Sequence, residues 1–244
     1  MYKKLNKKRI AQVVGLTLST ALIAPLAQAE FSGEIGVTND YRFRGVSQTA
    51  GDFAVQGSLD YSLENGLFFG AWASNVDKDS YDADVEVDIY AGYWGAFGAD
   101  EEWEYDATLT YYTYPGQDEN TGYLEANVGL YYSGFHLAQW YTNDYANADL
   151  SLNYTELNYS YEIFENWSID AHVGYSYGEG VNDPEMGDWG EDYVDYSIGV
   201  STELGGVGLS LAWLDTNLSD DNIIDSKEPW RNDGTVLATV SYAF

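Results

Sequence analysis

The sequence predicts an all-β fold: a transmembrane, up-and-down antiparallel β-barrel of about twelve strands, with short periplasmic turns and long extracellular loops. Three observations carry that expectation. Apolar and polar residues alternate with period two from residue 30 onward, connections alternate between short and long, and aromatics gather at both ends of an aliphatic face. Period two separates the two faces of a pleated strand, and segments of roughly ten residues match a tilted strand crossing a bilayer.

Composition narrows the function classes first. The chain of 244 residues holds 40 Asp+Glu against 10 Lys+Arg, a formal charge of −30, with no cysteine. That charge argues against nucleic acid as a partner, because phosphate backbones require clustered cations. An aromatic content of 16% opposes disorder. Without cysteine there is no disulfide framework, thiolate metal site or Cys nucleophile.

Residues 1–29 read as a secretory signal peptide. Lys3, Lys4, Lys7, Lys8 and Arg9 form a basic start, Ile10 to Leu26 carries no charge, and Ala27-Gln28-Ala29 is a small-x-small cleavage site. A membrane-anchor helix is the alternative, disfavoured by the marginal apolar length and by Pro25. Cleavage after Ala29 removes five bases and no acids, so residues 30–244 form a barrel of 215 residues with a charge of −35.

The strands follow in order at 31–43, 52–63, 67–76, 84–97, 102–114, 122–132, 135–143, 149–163, 167–177, 192–204, 207–216 and 233–244. In the fourth, Val85, Val87, Ile89, Ala91 and Tyr93 face one way, and Asp84, Glu86, Asp88, Tyr90 and Trp94 the other. The short turns are Glu64-Asn65-Gly66, Gly98 to Glu101, Ser133-Gly134, Phe164-Glu165-Asn166 and Gly205-Gly206. The long connections, such as 178–191 and 217–232, are polar and acidic. An even strand number with unequal rims is the pattern of an outer-membrane barrel. A long loop folded inward as a plug, or a hairpin extended outward, would change the strand count by two.

A soluble sandwich explains the alternation but not the aromatic girdles. Phe31, Tyr93, Trp103, Tyr105, Tyr132, Phe135, Tyr159, Tyr161 and Trp167 flank the short turns, while Tyr41, Phe43, Tyr111, Tyr141, Tyr175, Tyr177 and Trp213 approach the long loops. Between them lie Ile35, Val37, Leu59, Val87, Leu109, Val128, Ile169, Ile198, Val200, Leu209 and Leu211. Two girdles around an aliphatic band meet two water–lipid interfaces. The last strand ends in Val236, Ala238, Val240, Tyr242 and a terminal Phe244. That ending resembles the recognition signal of bacterial outer-membrane proteins and implies the barrel-assembly machinery as a partner, alongside lipid and lipopolysaccharide.

The polar face should line the lumen. Candidate pore-lining residues are Arg42, Arg44, Asp84, Glu86, Asp88, Glu104, Asp106, Asp170 and Asp195, among further acids at Glu34, Asp40, Asp60, Glu125 and Glu203. Carboxylates in a dry plug need partners, and residues 30–244 offer only five cations, which favours a water-filled lumen. A like-charged aqueous wall admits counter-ions, so the expected function is passive passage of small solutes with a preference for cations. Arg42 and Arg44, near the loop end of the first strand, either face acids at a constriction or brace the wall as ion pairs. Tyr90, Trp94, Tyr112 and Tyr114 either stack on a ring-bearing solute or fill space beside the wall.

Other readings have less support. An outer-membrane hydrolase needs a nucleophile and base converging, and only His136 and His172 are present, neither in a motif. No catalytic residue, metal site or cofactor is expected. Asp215, Asn217, Ser219, Asp221 and Asp225 suggest a calcium loop, but Asp220 stands where the EF-hand has Gly, and Ser226 where it has Glu. A structural or adhesive barrel remains the main alternative.

The stretch Gly33 to Thr49, GEIGVTNDYRFRGVSQT, resembles the opening signature of the TorF-type porins, a proteobacterial family also catalogued as Gcw_chp. The resemblance continues through Asp60-Tyr61, Gly70 to Asp77, Asp88 to Tyr93, Tyr111 to Gly116, His172 to Tyr175 and Leu214 to Thr216. It implies an outer-membrane location and a pore, and supplies no substrate or catalytic residue.

Overall fold

The computed structural model describes residues 30–99, 101–183, 191–218 and 230–244. The predicted signal segment and Ser219 to Ser226 of the calcium-loop reading lie outside the described residues. Twelve strands form one closed antiparallel barrel. In chain order they are β1 (Glu30–Thr38), then β4 (Ala54–Ser62), β5 (Leu67–Asn75), β6 (Val85–Phe97), β7 (Trp103–Thr113) and β8 (Tyr123–Tyr132). The remaining six are β9 (Phe135–Thr142), β10 (Leu152–Phe164), β11 (Trp167–Tyr177), β12 (Tyr193–Leu204), β13 (Val207–Thr216) and β14 (Thr235–Ala243). The labels β2 (Arg42–Phe43) and β3 (Val46–Ser47) belong to a separate two-stranded hairpin. Two short helices, α1 (Lys78–Tyr81) and α2 (Glu179–Asn182), and a 3-10 turn (Tyr145–Asn147) lie in long connections.

Each barrel strand pairs with its sequence neighbours, and β1 pairs with β14 to close the ring, with Val37 opposite Val240 and Glu34 opposite Ala243. At that seam Gly33 and Phe244 exchange backbone hydrogen bonds, each 3.0 Å. Closure satisfies every edge, as a bilayer interior requires. The tightest turns use residues whose φ is positive: Ser133 (49°) with Gly134 (86°), and Gly205 (63°) with Gly206 (84°). Two consecutive positive φ angles make the turn that follows the twist of an antiparallel pair.

The alternation sorts as the sequence predicts. Ile35, Leu59, Ile89, Leu109, Val128, Ile198 and Leu211 are all exposed on the outer wall. Phe31, Tyr93, Tyr105, Tyr132, Phe135 and Trp167 ring one end of it, and Tyr111, Tyr141, Tyr175 and Trp213 the other. Girdle rings meet across strands: Trp103 stacks on Tyr132 at 4.3 Å between centroids, and Phe135 approaches Tyr159 at the same distance. Such pairs stabilise by about 0.5–1.5 kcal/mol beyond their area burial.

The first strand departs from expectation. Alternation runs on to Phe43, but β1 stops at Thr38 and residues 40–49 turn into the barrel. Tyr41 and Phe43 are therefore not girdle residues. Tyr41 is buried edge-on against Trp72 at 5.3 Å, and Phe43 packs on Tyr112 at 6.0 Å. The physical reason is the arginine beside each ring. A strand continuing to residue 44 would leave two guanidinium groups at the rim, whereas the inward turn gives both a buried partner.

Candidate functional site: the barrel lumen and its inserted hairpin

The inserted hairpin is built around Arg44-Gly45. Phe43 pairs with Val46, and the two residues between them have φ of 50° and 83°. This is a two-residue hairpin turn in which an arginine takes a position that usually favours Asn, Asp or Gly. Arg42, just before it, is fully buried. Its Nε donates to Asp40 Oδ2 at 2.6 Å, and its Nη1 donates to the Gly45 and Arg231 carbonyls at 3.0 and 2.9 Å. Asp40 Oδ1 also accepts from Ser47 Oγ at 2.6 Å and Thr49 Oγ1 at 3.2 Å, so one carboxylate ties the two limbs together.

Arg44 reaches the wall. Its Nη2 donates to both oxygens of Glu125, each at 2.8 Å, and Glu125 also accepts from the Tyr112 hydroxyl at 3.0 Å. The guanidinium carbon lies 4.5 Å from the Tyr154 ring centroid, 4.6 Å from Phe43 and 6.0 Å from Trp140. Burial opposes the Arg44 charge, but Glu125 outweighs it and raises the pKa above its ordinary value. The Arg44 carbonyl accepts from the Tyr193 hydroxyl at 3.0 Å. Val46 packs with Leu152, Val181, Tyr193 and Leu218.

Around this tip the wall is acidic and ordered. Trp140 Nε1 and Asn158 Nδ2 donate to Glu156 at 3.1 Å each. His172 meets Asp195 at 2.8 Å through Nε2 and Asn158 Oδ1 at 2.6 Å through Nδ1. Both ring nitrogens are thus held by the wall, and the hydrolase reading gains no support there. Glu86 accepts from the Tyr114 hydroxyl at 3.2 Å. Asp88 is fully buried, and neither of its oxygens has a hydrogen-bond partner among the described residues.

Toward the short turns, Asp106 accepts from Tyr131 at 3.0 Å and Thr108 at 3.1 Å. Asp170 accepts from Ser160 at 2.7 Å and Ser201 at 2.6 Å. Glu104 is half-buried at the periplasmic end of β7.

Most of the predicted lining therefore faces inward: Arg42, Arg44, Glu86, Asp88, Asp106, Asp170 and Asp195 are all buried inside the barrel. Asp84 is the exception. It precedes β6 on the exposed rim and pairs with Lys78 at 3.0 Å, because the strand begins one residue later. At the level of Arg44 the hairpin and the wall are in close contact. Beside Arg44, Gly45, Tyr154, His172 and Asp195 the free space is about 10 Å³, room for one water molecule. Tyr112 and Tyr114 are likewise packed, stacked at 4.7 Å on Tyr123 and Tyr81. Sequence reasoning missed Glu156 and Tyr154 altogether, and named Glu125 without its arginine.

A closed barrel with an exposed apolar band, two aromatic girdles and a polar interior defines a bacterial outer-membrane β-barrel protein. Over residues 24–244 the chain matches the Gcw_chp model, described as a bacterial protein of unknown function, and it belongs to that family. Two similar solved structures are the KdgM porin (TM-score 0.52, 8% identity, 88% of this chain and 98% of that one) and the NanC porin (0.53, 8%, 88% and 99%). KdgM in complex with disordered oligogalacturonate is similar at TM-score 0.51 and 7% identity, over 88% and 98% of the two chains. At these identities the likeness concerns the fold. No curated protein matches the chain.

Proposed function

We propose that this protein is a channel for passive passage of small solutes across the outer membrane, that its acidic wall favours cations, and that the hairpin at residues 40–49 sets when the lumen is open. The observation that carries the reading is the charge inventory of the lumen. Glu86, Asp88, Asp106, Glu125, Glu156, Asp170 and Asp195 line it, against Arg42 and Arg44 among the described residues. A wall of one sign attracts counter-ions and repels co-ions. Residues 1–29 act as the export signal, and the strand ending at Phe244 is the element that the assembly machinery reads.

The deciding experiment is planar-bilayer conductance of the refolded barrel across a KCl gradient. The expected result is channel activity with a reversal potential favouring potassium. Silent membrane would instead support a structural barrel, a reading favoured by the packed hairpin. A reversal potential favouring chloride would refute the role of the acidic wall. Mass spectrometry of the outer-membrane form should give Glu30 as the first residue.

A further inference from the structure

We infer that the seat of the Arg44 guanidinium is a binding site for small organic cations of the guanidinium or alkylammonium class, and that the hairpin is its tethered occupant. The inference deepens the cation-preferring channel reading, on which its part in transport rests, but binding itself does not require conduction.

The walls of the seat belong to the barrel and not to the hairpin. Glu125 comes from β8, Trp140 from β9 and Tyr154 from β10. Each is fixed from behind: Glu125 by the Tyr112 hydroxyl, Trp140 by its Nε1 donation to Glu156, and Tyr154 by its hydroxyl contact with His172 at 3.1 Å. Only Phe43 among the rings around the guanidinium travels with the hairpin. Withdrawal of the hairpin leaves a carboxylate and two aromatic rings already aimed at one point. That combination recognises cations, by charge at one edge and by ring quadrupole on the faces.

Two further observations indicate that the seat selects the occupant. The first lies in the backbone. Arg44 has φ of 50° at a turn position where its side chain gives no local advantage, so the advantage lies in the seat. The second is how little of arginine is read. Glu125 is met through Nη2 alone, while Nε and Nη1 have no hydrogen-bond partner among the described residues. The seat thus reads positive charge and a thin apolar face, which agmatine or a primary alkylamine also presents. Two further carboxylates, Glu156 and Asp195, stand on the wall around the seat, bonded to Trp140 and His172.

The test is calorimetric titration of agmatine into the detergent-refolded barrel, with glutamate as the control ligand and heat-modifiable gel migration as the fold check. Arg44→Ala should bind agmatine at least tenfold more tightly than the parent chain, and Arg44→Ala with Glu125→Gln should lose that gain. Equal affinity in parent and Arg44→Ala, or a gain that survives Glu125→Gln, overturns the proposal. Should Arg44→Ala refold poorly, agmatine present during refolding should restore the heat-modifiable band and glutamate should not. No restoration also overturns it. Binding to a barrel that stays silent in bilayers refutes the channel and not the site, whereas conduction without binding refutes the site alone.

Discussion

Arg44 and Glu125, 81 residues apart in the chain, meet inside the barrel with one guanidinium nitrogen 2.8 Å from each carboxylate oxygen. The contact joins the first long connection to the eighth labelled strand and fixes how far the hairpin enters. Removing one partner of such a buried pair costs about 3–5 kcal/mol, because the other charge stays buried alone. Glu125→Ala should therefore lower the temperature at which the heat-modifiable band is lost and should raise channel open probability. The double change Arg44→Ala/Glu125→Ala should recover part of the stability but keep the higher open probability. If the single change left both measurements at parent values, the ion pair would not hold the hairpin.

The absence of native cysteine makes a covalent lock unambiguous. Val46 and Leu152 belong to one buried cluster on opposite sides of the hairpin–wall contact. Cysteines at both positions, joined by a short bis-methanethiosulfonate reagent that forms a reducible disulfide with each and releases methanesulfinate, should hold the hairpin in place. Bilayer conductance should fall on linking and return on reduction. A linked barrel that conducts like the unlinked one would show that solute passes without hairpin movement.

Lipid-facing and lumen-facing positions should respond oppositely to charge. Ile198 is exposed at the middle of β12, with Ser197 beside it on the inner face. Ile198→Lys should destabilise the barrel by about 2–4 kcal/mol, the cost of a cation near the bilayer midplane. Ser197→Lys should cost less and should reduce potassium preference. Equilibrium unfolding in urea with lipid vesicles measures the first, and reversal potentials the second.

The seam makes a steric prediction. A Cβ placed on Gly33 would lie 2.8 Å from the Phe244 ring and 2.9 Å from the Ser58 carbonyl oxygen. Gly33→Val should thus displace the terminal ring and cost about 1–3 kcal/mol, as overpacking does. Folding yield into vesicles should drop, and combining the change with Phe244→Ala should recover some of it. Full yield for Gly33→Val alone would contradict the packed seam.

The twelve barrel strands were legible because each meets lipid on one face and the interior on the other, which writes a period-two pattern into every segment. The same rule misread residues 39–43, where Tyr41 and Phe43 alternate with Asp40 and Arg42 as they would in a strand. Nothing in that spacing distinguishes rings that face lipid from rings that face a neighbouring barrel wall. The available signal was Arg44-Gly45, a turn-favouring pair two residues after Arg42, in a chain whose one further arginine after residue 29 is Arg231. The Arg44–Glu125 pairing was not legible, because it depends on how deeply the hairpin enters the closed ring. Asp84 fails for a smaller reason, since a strand beginning one residue late converts a lining acid into a rim acid.

The hairpin leaves β1 directly, and Arg42 bonds to the Arg231 carbonyl just ahead of β14. The first and last strands of the ring are therefore joined twice, once along their ladder and once through the plug. Neither joint can form until the final residues have emerged from the secretion channel. Until then β1 is paired with β4 on one side and keeps its other edge open. Closure of the ring is therefore among the last pairings the chain can complete, because both joints draw on the segment from Arg231 onward.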